Sequence, residues 1–140
     1  DKEWQQVFLQ IRSQYVECPH CNKKTFIEPE APTSRCVMCR KHINRPLILR
    51  VGNYRIPLLP NQRIYKCQAY SSMNVDLSMV YAEVSINNKT ARMGLRNISR
   101  ETWAVTLPNG QIRNVEDGRG LPAIPDLKIK FNNITALITL

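Results

Sequence analysis

Four of the five cysteines stand as two close pairs, Cys18-Pro19-His20-Cys21 and Cys36-Val37-Met38-Cys39. A Cys-x-x-Cys turn can aim both of its sulfurs at one point. Two such turns supply the four thiolates that a tetrahedral zinc site uses. Bridging the cysteines of each pair as disulfides would be strained, and an iron centre could use the same four thiolates. The reading predicts one structural Zn2+ held by Cys18, Cys21, Cys36 and Cys39. Four protein ligands fill the shell and leave no position for an activated water, so the site is read as structural rather than catalytic. Small zinc modules draw about 10–16 kcal/mol of apparent folding energy from the metal at neutral pH.

The fifth cysteine, Cys67, has no partner in the sequence and is expected to act as a small buried hydrophobe. An odd thiol and two metal knuckles fit a reducing compartment, and the expected location is cytoplasmic. His20 and His42 lie beside the knuckles. With four cysteines already filling the shell, both are expected to be exposed non-ligands.

The rest of the chain divides by pattern. Residues 1–13 read as an amphipathic helix, with Trp4, Val7, Phe8 and Ile11 on one apolar face. A short helix is marginal alone, so that face is expected to pack within the chain. The opening run Asp1-Lys2-Glu3-Trp4 reads as the inside of a longer polypeptide. Residues 14–45 form the metal segment. Residues 46–140 read as successive short strands punctuated by Gly52-Asn53, Asn87-Asn88, Pro108-Asn109-Gly110, Asp117-Gly118 and Asn132-Asn133. Along 79–86 the residues alternate, with Val80, Ala82, Val84 and Ile86 on one face and Tyr81, Glu83 and Ser85 on the other. Short strands at this spacing predict a β-sandwich or barrel. No internal repeat is read from the sequence, and no apolar run approaches the ~20 residues of a membrane span.

The net charge is +9, and it is uneven. Residues 1–66 hold twelve Lys and Arg against five Asp and Glu, whereas 67–140 hold eight against six. Cations near four thiolates and a dication offset a local net negative charge. They also suit an acidic partner. Lys23, Lys24, Arg35, Arg40, Lys41, Arg45, Arg50 and Arg55 could form a nucleic-acid stripe, with Phe26 stacking a base. Catalytic signatures are missing from the sequence: no nucleophile elbow, phosphate loop or zinc-protease helix occurs. Glu28, Glu30, Glu116 and Asp117 read as solvated surface. The chain is therefore expected not to be an enzyme.

The run Tyr15-Val16-Glu17-Cys18-Pro19-His20-Cys21, with Cys36-x-x-Cys39 and Arg50-Val51-Gly52, resembles the C-terminal region of certain bacterial serine/threonine protein kinases. Leu95-Arg96-Asn97-Ile98-Ser99, Trp103, Leu107-Pro108-Asn109-Gly110 and Leu127-Lys128-Ile129-Lys130-Phe131 resemble the later strands of the same region. The resemblance implies a mainly β fold: a short helix and a four-cysteine zinc ribbon, then an antiparallel sandwich similar to the forkhead-associated (FHA) domain, over 46–140. It implies a regulatory module that docks a protein partner or the kinase's own catalytic domain, with a phosphopeptide as one possible ligand. The family's phosphothreonine pattern is degenerate here. Asn61-Gln62-Arg63 lacks the Gly-Arg, and Val84-Ser85-Ile86-Asn87 lacks the histidine. Arg63, Ser85 and Asn109 are what remains of a phosphopeptide site.

Overall fold

The computed structural model describes residues 2–70, 72, 74–132 and 134–140. Asp1 lies outside them. So does Asn133, with its half of the Asn132-Asn133 joint.

Helix α1 spans Lys2–Ser13, with Glu3 in the first turn and Arg12 in the last, the charge order that suits a helix dipole. It packs by an unexpected face. Trp4 and Phe8 remain 61% and 62% exposed, and Val7 and Ile11 are exposed too, while Leu9 is only 3% exposed. The expectation that the Trp4-Val7-Phe8-Ile11 face would be covered within the chain is therefore corrected. Leu9 enters the main core, and the polar residues flanking it bond to the sandwich. Gln10 Nε2 donates to the Arg55 carbonyl at 2.8 Å, and Gln62 Nε2 donates to the Ser13 carbonyl at 2.6 Å. Hydrogen bonds to buried backbone groups, together with one leucine, set the helix's rotation more strongly than its apolar stripe does.

Two small hairpins follow. β1 (Tyr15–Glu17) pairs with β2 (Lys24–Phe26), and β3 (Thr33–Arg35) pairs with β4 (His42–Asn44), both antiparallel. Their inward residues Val16, Ile27 and Ile43 form a separate small cluster with Cys18 and Cys36, and Leu59 packs against it.

The remaining strands make two antiparallel sheets. The six-stranded sheet runs β11 (Ile112–Val115), β10 (Trp103–Thr106), β13 (Lys128–Phe131), β14 (Ile134–Thr139), β5 (Ile48–Val51), β6 (Tyr54–Pro57). The four-stranded sheet runs β12 (Gly120–Pro122), β9 (Met93–Asn97), β8 (Val80–Ile86), β7 (Arg63–Tyr65), and a one-turn helix α2 (Lys66–Ala69) follows β7. The fold is mainly β, with a short N-terminal helix, a four-cysteine segment and an antiparallel sandwich. β5 and β14, far apart in sequence, lie side by side inside the larger sheet. One cluster fills the space between the sheets, with Leu49, Ile56, Val105 and Ile138 from the larger and Ile64, Ala82, Val84 and Leu95 from the smaller. Each such side chain contributes roughly 1.5–3 kcal/mol when fully buried.

The alternation expected along β8 fails at two residues. Tyr81 is 1% exposed although the pattern places it on the face opposite buried Ala82 and Val84, while Ile86, placed on their face, is exposed. The pairing of β7 with β8 slips between Ile64 and Tyr65, so that Ile64 faces Ala82 and Tyr65 faces Val80. The extra residue on β8 is Tyr81. A bulge lets two consecutive side chains turn toward the same side. Tyr81 then joins Trp103 at 5.8 Å and Phe131 at 5.3 Å between ring centroids.

Candidate metal centre

Each knuckle is the tip of one hairpin. Cys18 N–H donates to the Lys23 carbonyl at 2.8 Å, and Asn22 N–H to the Cys18 carbonyl at 2.9 Å. Eighteen positions later Cys36 N–H donates to the Lys41 carbonyl and Arg40 N–H to the Cys36 carbonyl, both at 3.0 Å. Asn22 and Arg40, one residue past each second cysteine, both adopt positive φ, 63° and 67°. The two hairpins are therefore copies of one local structure, a repeat that the dissimilar side chains conceal. Within each turn a backbone amide points at the first sulfur. His20 N–H donates to Cys18 Sγ at 3.3 Å, and Met38 N–H to Cys36 Sγ at 3.4 Å. Buried Thr25 ties the two copies together by accepting from Val37 N–H at 3.2 Å. Its role was not readable before β2 was known.

The four Sγ atoms all lie within 4.8 Å of one another. Cys18 and Cys39 sulfurs are 3.8 Å apart, and Cys21 and Cys36 sulfurs 3.7 Å. A tetrahedral ion with metal–sulfur bonds of about 2.3 Å requires sulfurs about 3.8 Å apart. The donor set and its spacing therefore fit one metal ion and are consistent with zinc. As thiols, Cys36 and Cys21 shift in opposite directions. The Cys39 N–H, helped by that of Met38, outweighs burial and draws Cys36 down to about 6. At Cys21 the Lys23 N–H also lowers the value, but burial and the three neighbouring sulfurs outweigh it and push the thiol up to about 11. His20 and His42 are exposed, with His20 Nε2 3.1 Å from the His42 carbonyl, and neither belongs to the sulfur cluster. Cys67 is buried in the main core.

One carboxylate of the clip reaches two arginines of the sandwich. Glu30 Oε1 accepts from Arg55 at 2.8 Å and from Arg50 at 3.3 Å. The Arg55 hydrogen bond, reinforced by Arg50, holds its carboxyl below the usual value. Glu30, read from sequence as plain surface, thus joins the two parts. Arg45 donates to the Leu140 carbonyl at 2.7 Å. Arg45, Arg50 and Arg55 of the expected nucleic-acid stripe are therefore tied to neighbouring groups, and Arg35 reaches His42 Nε2 at 3.5 Å, while Lys23, Lys24, Arg35, Arg40 and Lys41 are all exposed on the clip. Phe26 lies against Tyr15 at 4.8 Å.

Of the three residues assigned to a phosphopeptide site, Arg63 and Ser85 lie on the paired strands β7 and β8, while Asn109 lies in the turn after β10. Arg63 lines a cavity beside α1 and the clip. Ser85 lines another, with Gly94 and Leu121. Asn109 accepts from Gln111 N–H at 3.0 Å within its own turn. Asn97, in a run singled out by the resemblance, is fully buried with its amide fully used. Nδ2 donates to the Glu101 and Val115 carbonyls at 2.8 and 2.9 Å, and Oδ1 accepts from Ser99 N–H at 2.9 Å and Ser99 Oγ at 2.6 Å. It fastens the loop after β9 to β11 and has nothing left for a ligand.

Among the described residues no helix is long and apolar enough to cross a membrane. Fold and site together define a class: a mainly β protein with a four-cysteine cluster able to hold one metal ion beside an antiparallel sandwich. No family model matches the chain, and no curated protein matches it in sequence.

Proposed function

We propose that the chain is a non-catalytic docking module whose four-cysteine clip binds one zinc ion, and that it is the C-terminal regulatory part of a bacterial serine/threonine protein kinase. The observation that carries the zinc reading is the pair of sulfur separations, 3.8 and 3.7 Å, in a cage that four cysteines close. Zinc supplies a fixed, redox-inert crosslink there. The cysteines hold it, and the knuckle amides from His20 and Met38 steady the sulfurs. The FHA-like reading is supported by a six-stranded and a four-stranded antiparallel sheet, with the sandwich's first and last strands, β5 and β14, paired. A docking rather than phosphothreonine-reading role for the sandwich loops is supported by the missing Gly-Arg at Asn61-Gln62-Arg63 and the missing histidine at Val84-Ser85-Ile86-Asn87.

Two measurements test the two halves of this reading. Elemental analysis of the purified chain is expected to return one zinc per chain. Iron in its place, or no metal, overturns the cofactor. The coding frame upstream of residue 1 is expected to carry a kinase catalytic domain, and another kind of sequence there overturns the kinase assignment while leaving the zinc clip standing. The five exposed cations of the clip favour nucleic acid as the second reading. A salt-dependent mobility shift would select it.

A further inference from the structure

A cavity of about 420 Å³ opens where α1, the first hairpin of the clip and β7 meet. Arg12 contributes from the helix, Lys24 from β2 and Arg63 from β7, and no carboxylate lines the space. All three cations are exposed. Both ion pairs among the described residues centre on Glu30, and none involves these three. Glu17 stands opposite Lys24 and Glu83 opposite Arg63 in strand register, yet neither lines the cavity or closes an ion pair with its neighbour.

The frame around the cations is fixed. Gln62 Nε2 donates to the Ser13 carbonyl at 2.6 Å and the Pro57 carbonyl at 3.1 Å, joining helix to sandwich at the cavity wall. Lys24 Nζ rests 5.9 Å from the centre of the Tyr15 ring. Gathering three like charges costs folding energy, and an anion in the space would offset that cost.

We propose that this cleft is a binding site for a phosphate monoester. The volume suits a small ligand, near the lower end of the ~300–1,000 Å³ range of such pockets. Asn61, Gln62 and Tyr15 add polar groups to the lining, which argues against an apolar ligand. Two guanidinium forks and an ammonium match the three oxygens and roughly −2 charge of a phosphate monoester better than the single charge of a carboxylate. The site needs the helix and the clip as well as the sandwich, so ligand binding there would lock the three together. This inference does not depend on the kinase assignment.

The test titrates the metal-loaded chain at low salt and follows backbone amide signals. The probes are inorganic phosphate, a nucleoside monophosphate, a phosphothreonine peptide and the same peptide without phosphate. Phosphate-bearing probes are expected to move the amides of Arg12, Lys24 and Asn61 to Arg63, and the unphosphorylated peptide to leave them still. Whichever phosphate probe binds tightest identifies the source of the group. Arg12→Gln and Arg63→Gln are each expected to weaken binding by about tenfold, the scale of one lost charge-assisted hydrogen bond. Arg113→Gln, an exposed cation on β11, should bind like the parent. Lowering pH through about 6 should weaken binding as the phosphate takes up a proton. Absence of shifts at these amides, equal loss in Arg113→Gln, or unchanged affinity in both cleft variants overturns the site. The dispersion of each variant's spectrum reports its fold, and Arg63→Lys, which keeps the charge but loses the fork, should fall between parent and Arg63→Gln.

Discussion

The side-chain amide of Gln10 pairs twice with the backbone of Arg55: Nε2 donates to the carbonyl and Oε1 accepts from the N–H, both at 2.8 Å. β6 is the edge of the six-stranded sheet. At this residue a helix side chain takes the place of the next strand, and a covered edge resists pairing with another chain. Gln10→Ala leaves two edge groups without their partner. It is expected to lower stability by about 1–3 kcal/mol in denaturant unfolding. A change within experimental error would mean that water replaces the amide fully.

The helix offers a paired test of which face holds it. Leu9→Ala removes a side chain from the core and is expected to cost about 2–5 kcal/mol. Trp4→Ala, on the exposed face, should stay within about 0.5 kcal/mol. The reverse order in the same unfolding assay would place the apolar stripe, not Leu9, against the sandwich.

Removal of the proposed zinc is expected to unfold the clip and spare the sandwich. The clip's own cluster offers three aliphatic side chains, Val16, Ile27 and Ile43, besides its cysteines. At roughly 1.5–3 kcal/mol each, these cannot offset the entropy of ordering residues 14–45, about 1 kcal/mol or more per residue for the backbone alone. After chelation, hydrogen exchange should become fast through residues 14–45 and stay slow in β5, β8, β13 and β14. The ligands are thiolates, so acid releases the metal and falling pH should give the same pattern. Full protection of 14–45 in chelator would remove the metal's structural role.

The Tyr70 hydroxyl donates to Glu101 Oε1. The carboxylate hydrogen bond, then burial, pushes the Tyr70 phenol up from 10.0 to about 12. A folded-state value above the unfolded one gives a contribution that is complete below pH 10 and is lost as pH rises toward 12. Ring-proton signals of Tyr70, which separate it from the Tyr54 and Tyr81 phenols that burial also pushes up, should show it ionising late. Glu101→Gln should return it toward the ordinary value. If the late phase survives in Glu101→Gln, burial alone is the cause.

Much of this was legible in the residues. Cysteine spacing named the clip because two Cys-x-x-Cys turns have few other uses, and the glycine turns at Gly52 and Gly110 adopt positive φ, as hairpin signals should, while Gly118 turns the chain from one sheet to the other. The pairs β5–β6 and β10–β11 follow from such local signals. The strands of the clip were harder: β2, β3 and β4 have only three residues each, too short for a period to show. β12 is equally short and pairs with β9 across a long gap in sequence.

Sequence by itself determined what depends on near neighbours: four sulfurs in two turns, the helix, and the alternation that makes strands. Tertiary structure alone decided which side of α1 faces inward, where Tyr81 turns, that Glu30 joins Arg50 and Arg55, and that Arg12, Lys24 and Arg63 meet. Those outcomes depend on groups far apart in the chain, whose hydrogen bonds and charges interact only once the sheets and the clip have closed around them.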